Sequence, residues 1–274
     1  MIDRMALSSY ESKEEVAMIR ILIHGCGGKM GQVLAETAKA STDIEIVAGI
    51  DPMAKGQAFA FPVYAAFDAC NVGPDVIIDF SVHTALKDLL EGALILNCPL
   101  VIATTGHSEE DKALIQTHAQ RIPIFQAANM SLGINLMSEL IQKAASVLGE
   151  RFDIEIIEKH HNLKVDAPSG TAYALAEAVN RVFSNAKSFV FGRHTRTERR
   201  KSAEIGIHAV RGGTITGEHQ VLFAGTDETL EIKHTAHSKQ IFAAGALQAA
   251  RYMAGKSPGF YTMKAMFADQ DIPA

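Results

Sequence analysis

Ile19-Arg20-Ile21-Leu22-Ile23-His24-Gly25-Cys26-Gly27-Gly28-Lys29-Met30-Gly31 is the stretch on which the fold turns. Its first five residues form a short run rich in β-branched side chains, the mark of a buried strand. Met30 to Lys39, carrying Val33, Leu34 and Ala38, reads as the helix that follows. Gly25, Gly28 and Gly31 between them make a G-x-x-G-x-x-G variant of the dinucleotide turn, with Met30 where the strict G-x-G-x-x-G has its last glycine. Missing side chains let the backbone turn tightly, let a pyrophosphate approach, and let helix and strand pack closely. The helix start adds free N–H groups and a partial positive charge for that pyrophosphate. Gly25, Cys26, Gly27, Gly28, Lys29 and Met30 are therefore candidate cofactor contacts. Asp51 joins them, at the end of a second strand, Ile44–Ile50, where a carboxylate can accept from ribose hydroxyls. Asp51 would repel a 2′-phosphate, which favours NADH; Lys29 and Lys55 leave NADPH open.

Working outward, strands and helices alternate: strands at 76–80, 100–104 and 122–126, helices at 84–96 and 109–119. Such alternation builds βαβ units, and right-handed crossovers make them an α/β, Rossmann-type doubly wound parallel sheet. At the strand ends, Ala103-Thr104-Thr105-Gly106 and Ala127-Ala128-Asn129-Met130 fall where ligands of open α/β sheets lie. Ordinary polar turns are the competing reading for both. After Asn129 the pattern changes. Residues 132–148 form a long helix marked by Leu136, Leu140 and Ala144, 153–159 a strand, and 172–183 an Ala-rich helix. Strands at 204–211, 219–223 and 229–234 then follow with short Gly-bearing turns between them, which predicts an α+β second domain with a mainly antiparallel or mixed sheet. A helix at 240–253 returns to the first domain. The expected division is an extension over 1–18, a dinucleotide domain over 19–129 completed by 239–274, and a substrate-binding and oligomerisation domain over 130–238. Arg193–Lys201 reads as a basic loop.

Across 274 residues, 47% are hydrophobic and 21% charged, ordinary globular composition with ample material for a core. A net charge of −5 gives no basic footprint, so nucleic acid is not an expected partner. No apolar run reaches the ~18 residues that span a bilayer, so neither is a membrane. Cys26, Cys70 and Cys98 match no metal or disulfide spacing and read as small buried residues of a reduced compartment. Residues 1–18 are polar and acidic, unlike a secretory signal, and the cytoplasm is the expected location.

The most unusual stretch is Ile156-Ile157-Glu158-Lys159-His160-His161-Asn162-Leu163-Lys164-Val165-Asp166-Ala167-Pro168-Ser169-Gly170-Thr171. Successive residues of a strand point to opposite faces, so His160 and His161 do not share a metal, and no third ligand stands at zinc-like spacing. A satisfied pair of surface histidines is one reading. The other rests on Ser169-Gly170-Thr171, which opens the Ala-rich helix: hydroxyls, free N–H groups and the helix dipole make a seat for a carboxylate or phosphate. Ser169 or Thr171 could equally be a helix cap, and both can hold at once. A histidine and Lys164 beside such a seat suit a carboxylate-bearing substrate that needs a proton.

Gly25–Gly31, Ala103–Gly106, Ala127–Asn129, Glu155–His161, Lys164–Thr171 and Gly217-Glu218-His219 together resemble the 4-hydroxy-tetrahydrodipicolinate (dihydrodipicolinate) reductase family, in order from about Ile19 to Phe267. The resemblance implies reduction of a cyclic unsaturated imine dicarboxylate to tetrahydrodipicolinate with NADH or NADPH, in diaminopimelate and lysine synthesis, by a homotetramer built through the second domains. It implies His160 as catalytic proton donor/acceptor and Lys164 as catalytic proton donor, and His161, Gly170 and Thr171 as holding a substrate carboxylate, with Ser169 beside them. It carries the cofactor over to Gly25–Met30, Asp51, Ala103, Thr104, Thr105, Ala127, Ala128, Asn129 and Met130, with no metal. Asp51-Pro52 stands where many members have an acidic residue followed by Arg, and Ala103 where Gly is common. Another amino- or oxo-acid oxidoreductase, or a non-enzymatic NADH sensor, would share the first domain but has no need of the 160–171 block.

Overall fold

A computed structural model of the protein describes residues 18–54 and 57–269. The expected extension up to residue 17, and Lys55, lie outside the described residues. In chain order the elements are β1 (Ile19–His24), α1 (Lys29–Ala38), β2 (Ile44–Ile50), β3 (Val63–Tyr64), β4 (Val76–Asp79), α2 (Leu86–Ile95), β5 (Leu100–Ile102), α3 (Glu109–His118) and β6 (Pro123–Gln126). They continue with α4 (Leu132–Leu148), β7 (Asp153–His160), α5 (Gly170–Val182), β8 (Ser188–Phe191), β9 (Glu204–Arg211), β10 (Gly217–Ala224) and β11 (Thr229–Ala236). The chain closes with α6 (Gln240–Met253), β12 (Gly259–Tyr261) and α7 (Met263–Asp269).

The first sheet has seven strands in the order β12-β6-β5-β4-β1-β2-β3, all parallel. A parallel sheet is covered on both faces, and its strands are apolar throughout for that reason. Ile21 and Ile23 pack with α1, α6 and α7 on one face, through Leu34, Ala246, Ala250 and Met266. Leu22, Ile77 and Ile102 pack with α2 and α3 on the other, through Leu89, Leu90 and Ile115. Cys26 and Cys98 are buried and Cys70 half-buried.

The second sheet has five strands, β11-β10-β7-β9-β8. It is mixed: β10 pairs antiparallel with β11 and β7, whereas β9 pairs parallel with β7 and β8. The short-turn reading of three successive antiparallel strands thus holds for β10 and β11 only, because β7 lies between β9 and β10. β8 escaped the sequence reading because its parallel return to β9 runs through 192–203 without a helix. The basic loop is that return, pinned by Arg193 on Glu155 (2.9 Å) and Glu204 (2.8 Å) and by Arg200 on Asp153 (2.5 Å) and Glu155 (2.9 Å). Helices α4 and α5 cover one face of this sheet. The buried row of α4 is Ile134, Met137, Ile141 and Ala145; of the four-residue row read from the sequence, Leu136 and Leu140 stand exposed and only Ala144 packs against the core. Among the described residues no helix is long and apolar enough to cross a membrane.

Helix α6 reaches the first sheet by passing against the chain where it leaves that sheet. A Cβ on Gly245 would fall 1.7 Å from the carbonyl oxygen of Met130. Gly245→Ala is expected to lower the unfolding free energy in urea by about 3 kcal/mol, since backbone on both sides resists relief of the overlap. Gly73→Ala, where nothing lies within 4 Å, should stay within about 0.5 kcal/mol of the parent; equal losses in the two variants would refute the close approach.

Candidate functional site

The Gly-rich turn is shaped by its neighbours. Gly25 has φ +80°, and a Cβ there would meet the Phe80 carbonyl oxygen at 2.8 Å; a Cβ on Gly31 would meet the Gly25 carbonyl oxygen at 2.2 Å. Gly28 differs, since only that same oxygen, at 3.3 Å, lies near its absent side chain. Gly28 is also the N-cap of α1, without a side-chain cap and with no acidic residue in the first helical turn. The leading amides of α1 and the exposed Lys29 thus sit beside open space, an arrangement that fits a pyrophosphate. Asp51 accepts from the amides of Gly27 (2.9 Å) and Met53 (2.8 Å), so each oxygen keeps a lone pair for a ribose hydroxyl. The Cys26 side chain is buried, and burial and then the charge of Asp51 push its thiol up to about 11.

A cleft of about 1280 Å³ lies between the two sheets. Thr105, Ala127, Ala128 and Asn129 line one wall; His160, His161, Lys164, Ser169, Gly170 and Thr171 line the other. The walls touch where the Asn129 side-chain amide donates to Thr171 Oγ1 at 3.2 Å. The Gly25–Met30 turn, Asp51, Ala103 and Thr104 do not line this cleft, and Met130 is buried in the first core. Thr104 is itself buried, with an unpartnered hydroxyl.

On the second-sheet wall each strand changes character as it approaches the cleft. The inward row of β7 reads Ile154, Ile156, Glu158, His160, and that of β10 reads Phe223, Val221, His219, Gly217. Glu158, fully buried, accepts from Arg211 Nη1 and Nη2 (both 2.8 Å), His160 Nδ1 (2.6 Å) and the Ser169 amide (3.0 Å). Burial alone would raise this carboxyl, but the Arg211, His160 and Ser169 donors outweigh it and hold the group below the usual carboxylate range. A carboxylate can only accept, so His160 carries a proton on Nδ1. A Cβ on Gly217 would stand 3.1 Å from His160 Nε2, so glycine there leaves room for the ring.

His219 meets His160 edge-on, with ring centroids 5.2 Å apart, and shares a hydrogen bond of 2.9 Å with Ser169 Oγ. Burial, and next the neighbouring His160, push His219 down to about 4, so it is neutral at physiological pH. Ser169 also caps α5 by accepting from the Ala172 amide at 3.2 Å. Its hydroxyl is engaged within the protein, so of the expected anion seat only Gly170 and Thr171 remain at the cleft without that engagement. Lys164 Nζ donates to Asp166 at 2.7 Å, and that bond, more than any other contact, holds the Asp166 carboxyl below its ordinary range. Glu158, Arg211 and His219 were given no site role from the sequence, although Glu158 and His219 fall in stretches that carry the resemblance. Their signal is a polar residue at an inward position of a strand that is otherwise apolar. Among the described residues no group of three or more His, Cys, Asp or Glu is placed to hold a metal ion.

Comparison with known proteins gives the family. The N-terminal model of dihydrodipicolinate reductase matches residues 19–130 and its C-terminal model residues 133–267. The 4-hydroxy-tetrahydrodipicolinate reductase of Caldanaerobacter subterraneus subsp. tengcongensis is 52% identical over 90% of this chain and 97% of its own. The protein of that name from Clostridium tetani is 46% identical over 92% and 98%. Among solved structures, a dipicolinate-bound dihydrodipicolinate reductase from Paenisporosarcina superposes with a TM-score of 0.75, at 26% identity, over 89% of this chain and 97% of that one. A myo-inositol dehydrogenase from Corynebacterium glutamicum, at 18% identity and TM-score 0.56 over 92% and 93% of the two chains, shares the fold alone. The chain belongs to the dihydrodipicolinate reductase family.

Proposed function

We propose that this protein reduces 4-hydroxy-tetrahydrodipicolinate, by way of dihydrodipicolinate, to tetrahydrodipicolinate with NADH or NADPH, in diaminopimelate and lysine synthesis. The observation that carries this reading is the cleft that sets His160, Lys164 and the α5 start opposite Ala127–Asn129. On this reading residues 19–129 with 239–274 hold the dinucleotide, while 130–238 hold the substrate, all in the cytoplasm.

A reduced nicotinamide, when bound, supplies the hydride. The protein's share is to bind, orient and protonate. Gly25–Met30 and Asp51 hold the dinucleotide at its pyrophosphate and ribose; Ala103–Thr105 and Ala127–Met130 border its other end, Met130 through its backbone. Gly170, Thr171 and His161 hold a substrate carboxylate, with the α5 dipole behind it. Hydride arrival puts negative charge on the conjugated ring, which the Lys164 ammonium stabilises and a proton from His160 or Lys164 discharges.

Loss of NADH absorbance on addition of freshly made precursor tests the activity, and pyridine-2,6-dicarboxylate should compete. Binding of NADH without oxidation would favour a sensor instead. His160→Ala and Lys164→Ala should each lower kcat by about 10²–10⁴, and wild-type turnover in both would remove the assignment.

Asp51 supports a preference for NADH, because a 2′-phosphate would meet its negative charge. The KM for NADH should be about tenfold below that for NADPH, roughly 1.4 kcal/mol, with the gap narrowing in Asp51→Ala; equal KM values in the parent would count against the preference. Assembly as a homotetramer is supported by the sheet face turned away from α4 and α5, where Ile157, Val210 and Leu222 stand among charged residues such as Lys159, Glu218 and Lys233. Sedimentation at the mass of one or two chains would exclude it.

A further inference from the structure

We infer that Glu158, held by Arg211, is a positioning residue that sets the tautomer of His160 and, through the same carboxylate, the start of the α5 anion seat. The inference rests on the proposed role of His160 and deepens it. Glu158 comes from β7, Arg211 from β9 and Ser169 from the start of α5, and all meet at one buried carboxylate. Arg211 also donates to the Asp166 carbonyl at 2.5 Å, which ties the Lys164 loop to the same centre.

The logic is one of lone pairs and protons. Free imidazole can carry its single proton on either ring nitrogen. Glu158 Oε2, 2.6 Å from Nδ1, admits only a proton on that nitrogen. Nε2, beside Gly217 on the cleft, is then the atom that exchanges a proton with substrate. An unpaired carboxylate would tend to hold the imidazolium and oppose proton release; the guanidinium, bonded to both oxygens, offsets that charge. The other titratable and charged neighbours are His219 from β10, neutral and edge-on, His234 beside it on β11, and His161, Lys164 and Asp166 in the loop that follows β7. None of them reaches Nδ1 among the hydrogen bonds of the described residues. The hydrogen bond that sets the His160 tautomer is therefore Glu158's, and the Ser169 amide on the other oxygen makes any shift of the carboxylate a shift of the α5 start.

The test uses the full-length protein. In Glu158→Gln the protonated His160 ring loses its counter-charge while Arg211 stays. Where activity requires that proton, the alkaline limb of the kcat/KM profile should move to lower pH, with kcat down by about 10- to 100-fold, part of what acid–base catalysis contributes. A merely structural role would lower activity without moving the limb. Should that variant not fold, Glu158→Leu with Arg211→Met replaces the pair by apolar groups and leaves no uncompensated buried charge. Histidine ¹⁵N NMR, with His160→Gln assigning the signal, reads the tautomer directly. The parent should show neutral His160 protonated on Nδ1, and the double variant should shift it toward Nε2. An unmoved limb in folded Glu158→Gln, or the parent tautomer persisting in the double variant, would overturn the inference. Wild-type turnover in His160→Ala would instead sink the proton-donor role of His160, and the NMR arm would still decide whether Glu158 sets its tautomer.

Discussion

A carboxylate without solvent contact has to find donors inside the protein, and the wall of the cleft is arranged around how Glu158 finds them. Its oxygens are met from three directions: an arginine on one neighbouring strand, a histidine two residues along its own, and the amide that opens a helix. With the Arg211 bond to the Asp166 carbonyl, these bonds fix the second sheet's central strand, the loop that bears Lys164 and the start of α5 relative to each other. The pair is not there chiefly for stability. Buried ion pairs often contribute no more than well-packed apolar residues of similar volume would, and β7 has apolar residues at the corresponding inward positions Ile154 and Ile156. Charge replaces them only at the end that borders the cleft, where orientation of a ring matters more than cohesion.

The first sheet solves a different problem. Its strands are parallel, so their carboxyl ends emerge along one edge and the loops there share a crevice. The loop after β4 has its own buried anchor. Asp79 accepts from His24 at 2.8 Å and from the Ser81 hydroxyl at 2.6 Å, which joins the end of β1 to the loop against which Gly25 turns. The His24 and Ser81 donors outweigh burial and hold the Asp79 carboxyl below its usual range, so this junction is a charged one too. Both sheets thus place a buried carboxylate at the point where a strand gives way to a loop.

Much of this was legible beforehand, for identifiable reasons. The parallel sheet follows from short apolar runs between helices, and the dinucleotide turn from its glycines, at two of which, Gly25 and Gly31, an added Cβ would fall within 3 Å of backbone. The 160–171 block stood out because cations and helix-opening residues rarely crowd one strand end without purpose. What escaped had weak local signals. β3 and β12 have two and three residues, too few for a period to register. β8 precedes a connection whose meaning, a parallel return held by Arg193 and Arg200, depends on acids far away in sequence. Arg211 and His219 sit at inward strand positions, a pattern readable in principle, yet their partners Glu158 and Ser169 lie about fifty residues earlier. Pairings at that distance are set by topology rather than by local spacing.

The electrostatics of the cleft run against those of the whole chain. The sequence carries a net charge of −5, yet Lys164, Lys239 and Lys264 all line the cleft. Glu139 is the one carboxylate among the residues that line it; behind this wall Glu158 is paired with Arg211 and Asp166 with Lys164. A dianionic substrate responds to this local field, not to the distant sum, since charges beyond about 10 Å are screened at ordinary salt. Helix termini add to this local field. α3 closes its own amino end with a capping box and three acids, Glu109, Glu110 and Asp111, whereas α1 and α5 begin with no acidic residue in their first turns. An acid there would occupy the free amides and cancel the dipole before any ligand arrived. Neither α1 nor α5 carries such an acid, so on the proposed reading the dipole at each start is left to act on an anionic ligand.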